Sequence, residues 1–109
     1  MRTLLAVVTL VAPALAGASD THIRTLAGSC AACHGTHGNS VGGTPVLAGM
    51  QAEAFVGKMH AFRAGEQAST VMFRHAKGLT EEEIRQLAIH FSQQPRVPAA
   101  PPMSLRAFY

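Results

Sequence analysis

Cys30-Ala31-Ala32-Cys33-His34 is the stretch of this 109-residue chain whose residue types and spacing carry chemistry. Two thiols separated by two residues and followed at once by an imidazole match the attachment pattern of a c-type haem. In that pattern the sulfurs add to porphyrin vinyl groups and the histidine coordinates iron. On a helix Cys30 and Cys33 share a face, so both reach one edge of a flat macrocycle. His34, one position on, is then held beneath the ring, where a neutral imidazole coordinates along the axis. Ala31 and Ala32 keep that face low. The candidate cofactor is one covalent haem c, attached at Cys30 and Cys33, with His34 on the metal.

Two other uses of C-x-x-C are disfavoured. A zinc site needs two more ligands, and the chain has only two cysteines. Its other histidines, His22, His37, His60, His75 and His90, form no H-x₃₋₅-H pair. A thioredoxin-like redox pair sits in a βαβ context, and no β-rich run follows this motif.

The rest of the chain must position these residues. Met1-Arg2-Thr3 is a short basic start, Leu4 to Ala12 is apolar, and Ala14-Leu15-Ala16 or Ala16-Gly17-Ala18 offers a cleavage site. That is the pattern of a secretory signal peptide over 1–18. The alternative, an uncleaved anchor, is disfavoured because Pro13 breaks a run already short of the roughly 20 residues that span a bilayer. Export fits the motif and implies a bacterial periplasmic location. A mature chain of roughly 90 residues is marginal for a self-sufficient core and suits folding around an apolar group. Composition agrees with one compact domain, 48% hydrophobic with 14% charged residues. Loss of Arg2 leaves eight Lys and Arg against six Asp and Glu, a net charge near +2. Two haem propionates bring that close to neutral, so nothing suggests a nucleic-acid partner.

The domain is expected over 19–95. Asp20 or Thr21 can cap a first helix whose apolar positions Ile23, Leu26, Ala27 and Cys30 follow a helical period. Gly28 within it suggests a close helix crossing. From Gly35 to Gly49 the period is lost, which predicts a loop wrapping one side of the haem. The Pro45 region is the natural source of a carbonyl to bond the free ring N–H of His34. A second helix is expected from Gln51 to Ala64, with Phe55, Val56, Met59 and Phe62 as its buried stripe and Gly65 as its stop. Glu53, Lys58 and Arg63 read as its solvated face. No period is visible from Glu66 to Gly78. Thr80-Glu81-Glu82-Glu83 is a capping box, and Ile84, Leu87, Ala88 and Phe91 form an apolar stripe to about Gln94. Pro95, Pro98, Pro101 and Pro102 end that helix and begin an extended tail over 96–109.

Three to four helices around one covalent haem, with no strands, is the plan of a small all-α class I cytochrome c. That plan places the second axial ligand in the loop before the last helix, where Met72 stands in Ser69-Thr70-Val71-Met72-Phe73-Arg74. His75 in the same loop and an open coordination site remain as alternatives. Met59 reads as core filler, Met50 directly follows the first loop, and Met103 lies in the Pro-rich tail.

The run Cys30 to Ser40, then Ser69-Thr70-Val71-Met72 and Ala76-Lys77-Gly78, resembles the cytochrome subunits of flavocytochrome c sulfide dehydrogenases. More broadly it is similar to cytochrome c4 and class I cytochromes. The likeness covers roughly His22 to Gln94. It implies that Met72 is the axial methionine and that the partner is a flavoprotein oxidising sulfide. Many members of that family carry two haem domains, whereas this chain has a single C-x-x-C-H. Phe73 replaces a small residue after the methionine, and His90 stands where relatives often have tyrosine.

The expected function is one-electron transfer without catalysis, through docking to a redox partner and with no small-molecule substrate at the iron. Arg74 and Lys77, flanking Met72, are candidate docking charges. A free c4-like carrier to a terminal oxidase is the nearest alternative. An open-site haem enzyme or gas sensor requires that Met72 does not bind.

Overall fold

A computed structural model describes residues 16–98, with side chains from 19 onward. Four α-helices occupy them: α1 (Ala16–His34), α2 (Ala52–Ala64), α3 (Met72–Gly78) and α4 (Glu81–Ser92). A single 3₁₀ turn, Thr36–Gly38, follows α1. The described residues contain no strand, so the fold is all-α with four helices, the class that the sequence leads one to expect.

The helix α4 is the centre of the packing. Thr80 Oγ1 accepts from Glu83 N–H at 3.1 Å while Glu83 Oε2 accepts from Thr80 N–H at 2.8 Å, so the capping box forms in full. Three acidic residues in the first turn also favour the positive end of the helix dipole. The largest fully buried side chains, Phe91, Ile84 and Leu87, all belong to α4. On one side α1 packs against it through Ile23 and Ala27, and on the other α2 packs through Phe55 and Met59.

Several local expectations are corrected. Asp20 and Thr21 do not start α1, which already runs from Ala16. Asp20 instead pairs with Arg24 one turn on, at 2.9 Å. The small residues before Asp20 continue the helix, and a capping side chain marks a start only where the preceding chain leaves it. Gly28 is exposed, and a Cβ there would meet nothing within 4 Å, so no close crossing explains it. The segment from Glu66 to Gly78 is not all loop, since α3 occupies its second half. With Ala76 as its only fully buried residue, α3 leaves no period to read.

The second helix matches its expected span. Phe55 and Met59 are buried, Val56 and Phe62 are half-buried, and Gly65 ends it in the left-handed conformation at φ 75. Pro95 to Pro98 extend beyond α4, tied down by Asn39, whose amide donates to Pro95 O at 3.0 Å and accepts from Val97 N–H at 2.8 Å. The expected leader up to residue 15, and the tail from 99, lie outside the described residues. No described helix is long and apolar enough to cross a membrane.

Candidate metal centre

His34 is the last residue of α1, and two features of the following chain fix its ring. Gly35 turns away at φ 80, a conformation few side chains adopt, and a Cβ there would come within 2.4 Å of the Asn39 carbonyl oxygen. The loop then returns: Leu47 N–H and Ala48 N–H both donate to Gly38 O, at 2.8 and 3.1 Å, and Gly49 N–H reaches Phe91 O on α4 at 2.9 Å. This closure sets Pro45 opposite His34, whose Nδ1 lies 2.7 Å from Pro45 O, as the sequence leads one to expect.

That bond decides the tautomer. A carbonyl oxygen only accepts, so Nδ1 carries the proton and Nε2 holds the lone pair. Nothing among the described residues bonds Nε2. His34 is otherwise buried, at 8% exposure, and is the single polar side chain among the buried residues described. A buried imidazole with one nitrogen saturated and the other open fits the residue that must face a metal.

Cys30 and Cys33 are free thiols one helical turn apart, Cys30 half-buried and Cys33 exposed. Burial pushes the Cys30 thiol up, against weaker opposing hydrogen bonds, so Cys30 stays protonated at neutral pH. Its Sγ lies 3.5 Å from Leu26 O. Cys30 and Cys33 would hold a haem through thioether bonds, each taking up one vinyl group with its S–H hydrogen and sulfur on the two carbons of the double bond.

Met72 opens α3, half-buried, and packs against the same apolar cluster as Cys30. Among its rivals, Met59 is 5% exposed within that cluster, Met50 is half-buried against it, and His75 is exposed. Met103 lies outside the described residues. Met50, Val56, Phe62 and Leu79 are further half-exposed apolar side chains packed against the cluster that Cys30 and Met72 also touch.

One residue is misread from sequence. Arg63 is not part of a solvated face: it donates from Nε to Ala76 O at 3.1 Å and from Nη2 to Leu79 O at 2.6 Å, and its Nη1 pairs with Glu81. Its partners lie 13 to 18 residues away, so no local pattern announces them.

Comparison with known proteins bears directly on this arrangement. The family model for cytochrome c matches residues 21–93, from the first turns of α1 through α4. The chain belongs to the cytochrome c family. Its cofactor is therefore covalent haem c, for which Cys30 and Cys33 supply the two thiols of the motif, and its work is electron transfer rather than catalysis. Over 79 residues this cytochrome is 42% identical to the cytochrome subunit of sulfide dehydrogenase from Chlorobaculum tepidum, covering 72% of each chain. It is 39% identical over 74 residues to cytochrome c4 from Thiocapsa roseopersicina, covering 67% of this chain and 38% of that one. A thiosulfate dehydrogenase electron acceptor from Thiomonas intermedia is 35% identical over 100 residues, covering 85% of this chain and 44% of its own. The cytochrome thus spans less than half the length of the latter two.

Proposed function

We propose that this cytochrome is an exported, periplasmic single-haem carrier, with His34 and Met72 as axial ligands, that accepts electrons from a flavoprotein oxidising sulfide. The observation that carries the His34 assignment is its bond to Pro45 O, which leaves Nε2 as the only lone pair on a buried ring, while the family resemblance and the half-buried place of Met72 support the second ligand. Haem supplies an iron that changes charge by one electron per cycle. The chain's part is to hold that iron's surroundings fixed. The Pro45 carbonyl orients His34 and strengthens it as a ligand, and a thioether from Met72 favours the reduced state relative to a second imidazole. The 42% identity to a sulfide dehydrogenase cytochrome subunit supports the partner class. The basic start and apolar run of the first 18 residues support export.

The docking surface follows from α3. Arg74 and Lys77 are exposed and lie 5.5 and 6.0 Å from the centroid of Phe73, the residue after Met72. Among the described residues neither has an acidic partner, so both charges face outward to attract one. The test is stopped-flow reduction of Arg74→Glu/Lys77→Glu by a flavoprotein sulfide dehydrogenase. The second-order rate at low salt should fall at least tenfold and lose its salt dependence. An unchanged rate with an intact haem spectrum would remove this surface from the reading. The relative that accepts electrons from thiosulfate dehydrogenase favours a second reading, a free carrier serving a different dehydrogenase. Co-purification with a flavoprotein separates the two.

A further inference from the structure

We propose, resting on the Met72 assignment above, that Arg63 is a positioning residue that keeps Met72 on the metal by clamping the far end of the helix Met72 begins. At seven residues, α3 is too short to be stable by itself, so its place is set by what its ends are tied to. The N-terminal tie is weak. Val71 provides no side-chain cap. Beyond the backbone bonds that Arg74 and His75 N–H make to Val71 O, one side-chain bond runs there, from Phe73 N–H to Ser69 Oγ at 3.1 Å.

The C-terminal tie is stronger, and it comes from another helix. Near its end α3 has carbonyls that lack intrahelical donors. Arg63 on α2 satisfies Ala76 O and Leu79 O with two arms of one planar guanidinium. Its third arm pairs with Glu81 in the first turn of α4, and Glu81 Oε2 accepts from His60 on α2 at 2.8 Å. The guanidinium is thereby oriented from three sides, and its side chain is only 30% exposed. Ala76, whose carbonyl is one of the two tied, is completely buried. A helix of this length is a rigid rod of about 10 Å. Displacement at Ala76 and Leu79 therefore reaches Met72 instead of being absorbed on the way. Lysine would keep the charge but not the fork, so it cannot hold both carbonyls in this geometry.

The test follows the far-red sulfur-to-iron absorption band of the ferric holoprotein against rising pH, where weakly held methionine is displaced. Each bond from a guanidinium to a carbonyl is worth about a factor of ten or more. Arg63→Ala, which removes two such bonds, should therefore lower the midpoint for band loss by about two pH units, with Arg63→Lys close behind. Glu81→Gln, which keeps both carbonyl bonds, should shift it less. Ile23→Ala, a core change on α1, should lower the melting temperature while leaving the midpoint in place. If Arg63→Ala does not accumulate as holoprotein, Arg63→Lys decides. An unmoved midpoint in the Arg63 variants, or an equal shift in Ile23→Ala, overturns the positioning role. Met72→Ala should lack the band at every pH. A band that survives there defeats the ligand assignment itself, whereas its loss alongside unmoved Arg63 variants defeats the positioning role alone.

Discussion

The rings of Phe55 and Phe91 stack with centroids 5.8 Å apart and planes inclined by 27°, joining the start of α2 to the last turn of α4. Phe91 is 1% exposed and also closes over Gly38, where an added Cβ would lie 3.0 Å from its Cδ1. One side chain thus holds α2, α4 and the loop after the haem motif. Phe91→Ala should cost about 3–5 kcal/mol in chemical denaturation of the holoprotein. A loss under 1 kcal/mol would mean that the haem, not this ring, organises the contact.

Thr80→Ala removes one arm of the capping box and should cost about 1 kcal/mol. In a domain of this size that lowers the melting temperature by about 4–8 °C. An unaltered melt would show that α4 is held by its buried stripe alone.

The carbonyl that orients His34 belongs to the backbone, so it is tested through the loop. Pro45→Gly loosens that segment and weakens the bond to Nδ1. A less basic imidazole stabilises ferric iron less, so the reduction potential should rise by some tens of millivolts, tenfold being about 59 mV for one electron. A redox titration coinciding with wild type would show that the bond does not tune the iron.

Attachment is testable by mass and extraction. Native holoprotein should carry one haem that survives acidified acetone, and the double substitution Cys30→Ala/Cys33→Ala should release it. Two free thiols on protein made in a haem-competent host would end the covalent reading.

Stability should fall with acid in two stages. Burial pushes the His90 imidazole down, with nearby His37 and Arg24 adding to the shift and Asp20 opposing it. The unfolded chain therefore takes up this proton first, and stability is fully present above the ordinary histidine value of about 6.5 and declines as pH falls below it. His90→Gln should flatten that slope in melts between about pH 7 and 5. At lower pH the carboxylates act. Glu81 is held down chiefly by His60, Glu82 by Gln86 and Arg85, and Glu83 by the Thr80 backbone N–H and His22. What they contribute is present above the ordinary carboxylate range and is lost as pH falls through their lowered values.

What could be read from sequence was whatever is encoded locally. Thr80 and Glu83 are three residues apart, Gly65 ends its own helix, and Cys30 to His34 lie within about one and a half turns, so each was legible in place. The His34–Pro45 bond was within reach because the need for an acceptor is general and the loop was short. Arg63 and α3 were not, because a helix capped by an arginine from a different helix has its reason elsewhere in the chain. The start of α1 was missed because a capping residue looks the same inside a helix as at its beginning.

Among the described residues the largest wholly enclosed side chains, Phe91, Ile84 and Leu87, all lie on α4. A chain delivered amino end first therefore cannot close this core until α4 has followed α1, α2 and α3, and the slow, non-local contacts form last. Until then the Ile23 and Ala27 face of α1 lacks its α4 partner, and Cys30, Cys33 and His34 would stay open to any factor that must reach them. Placing the core on the last of the four described helices would give the attachment reaction an interval that closes when α4 is delivered.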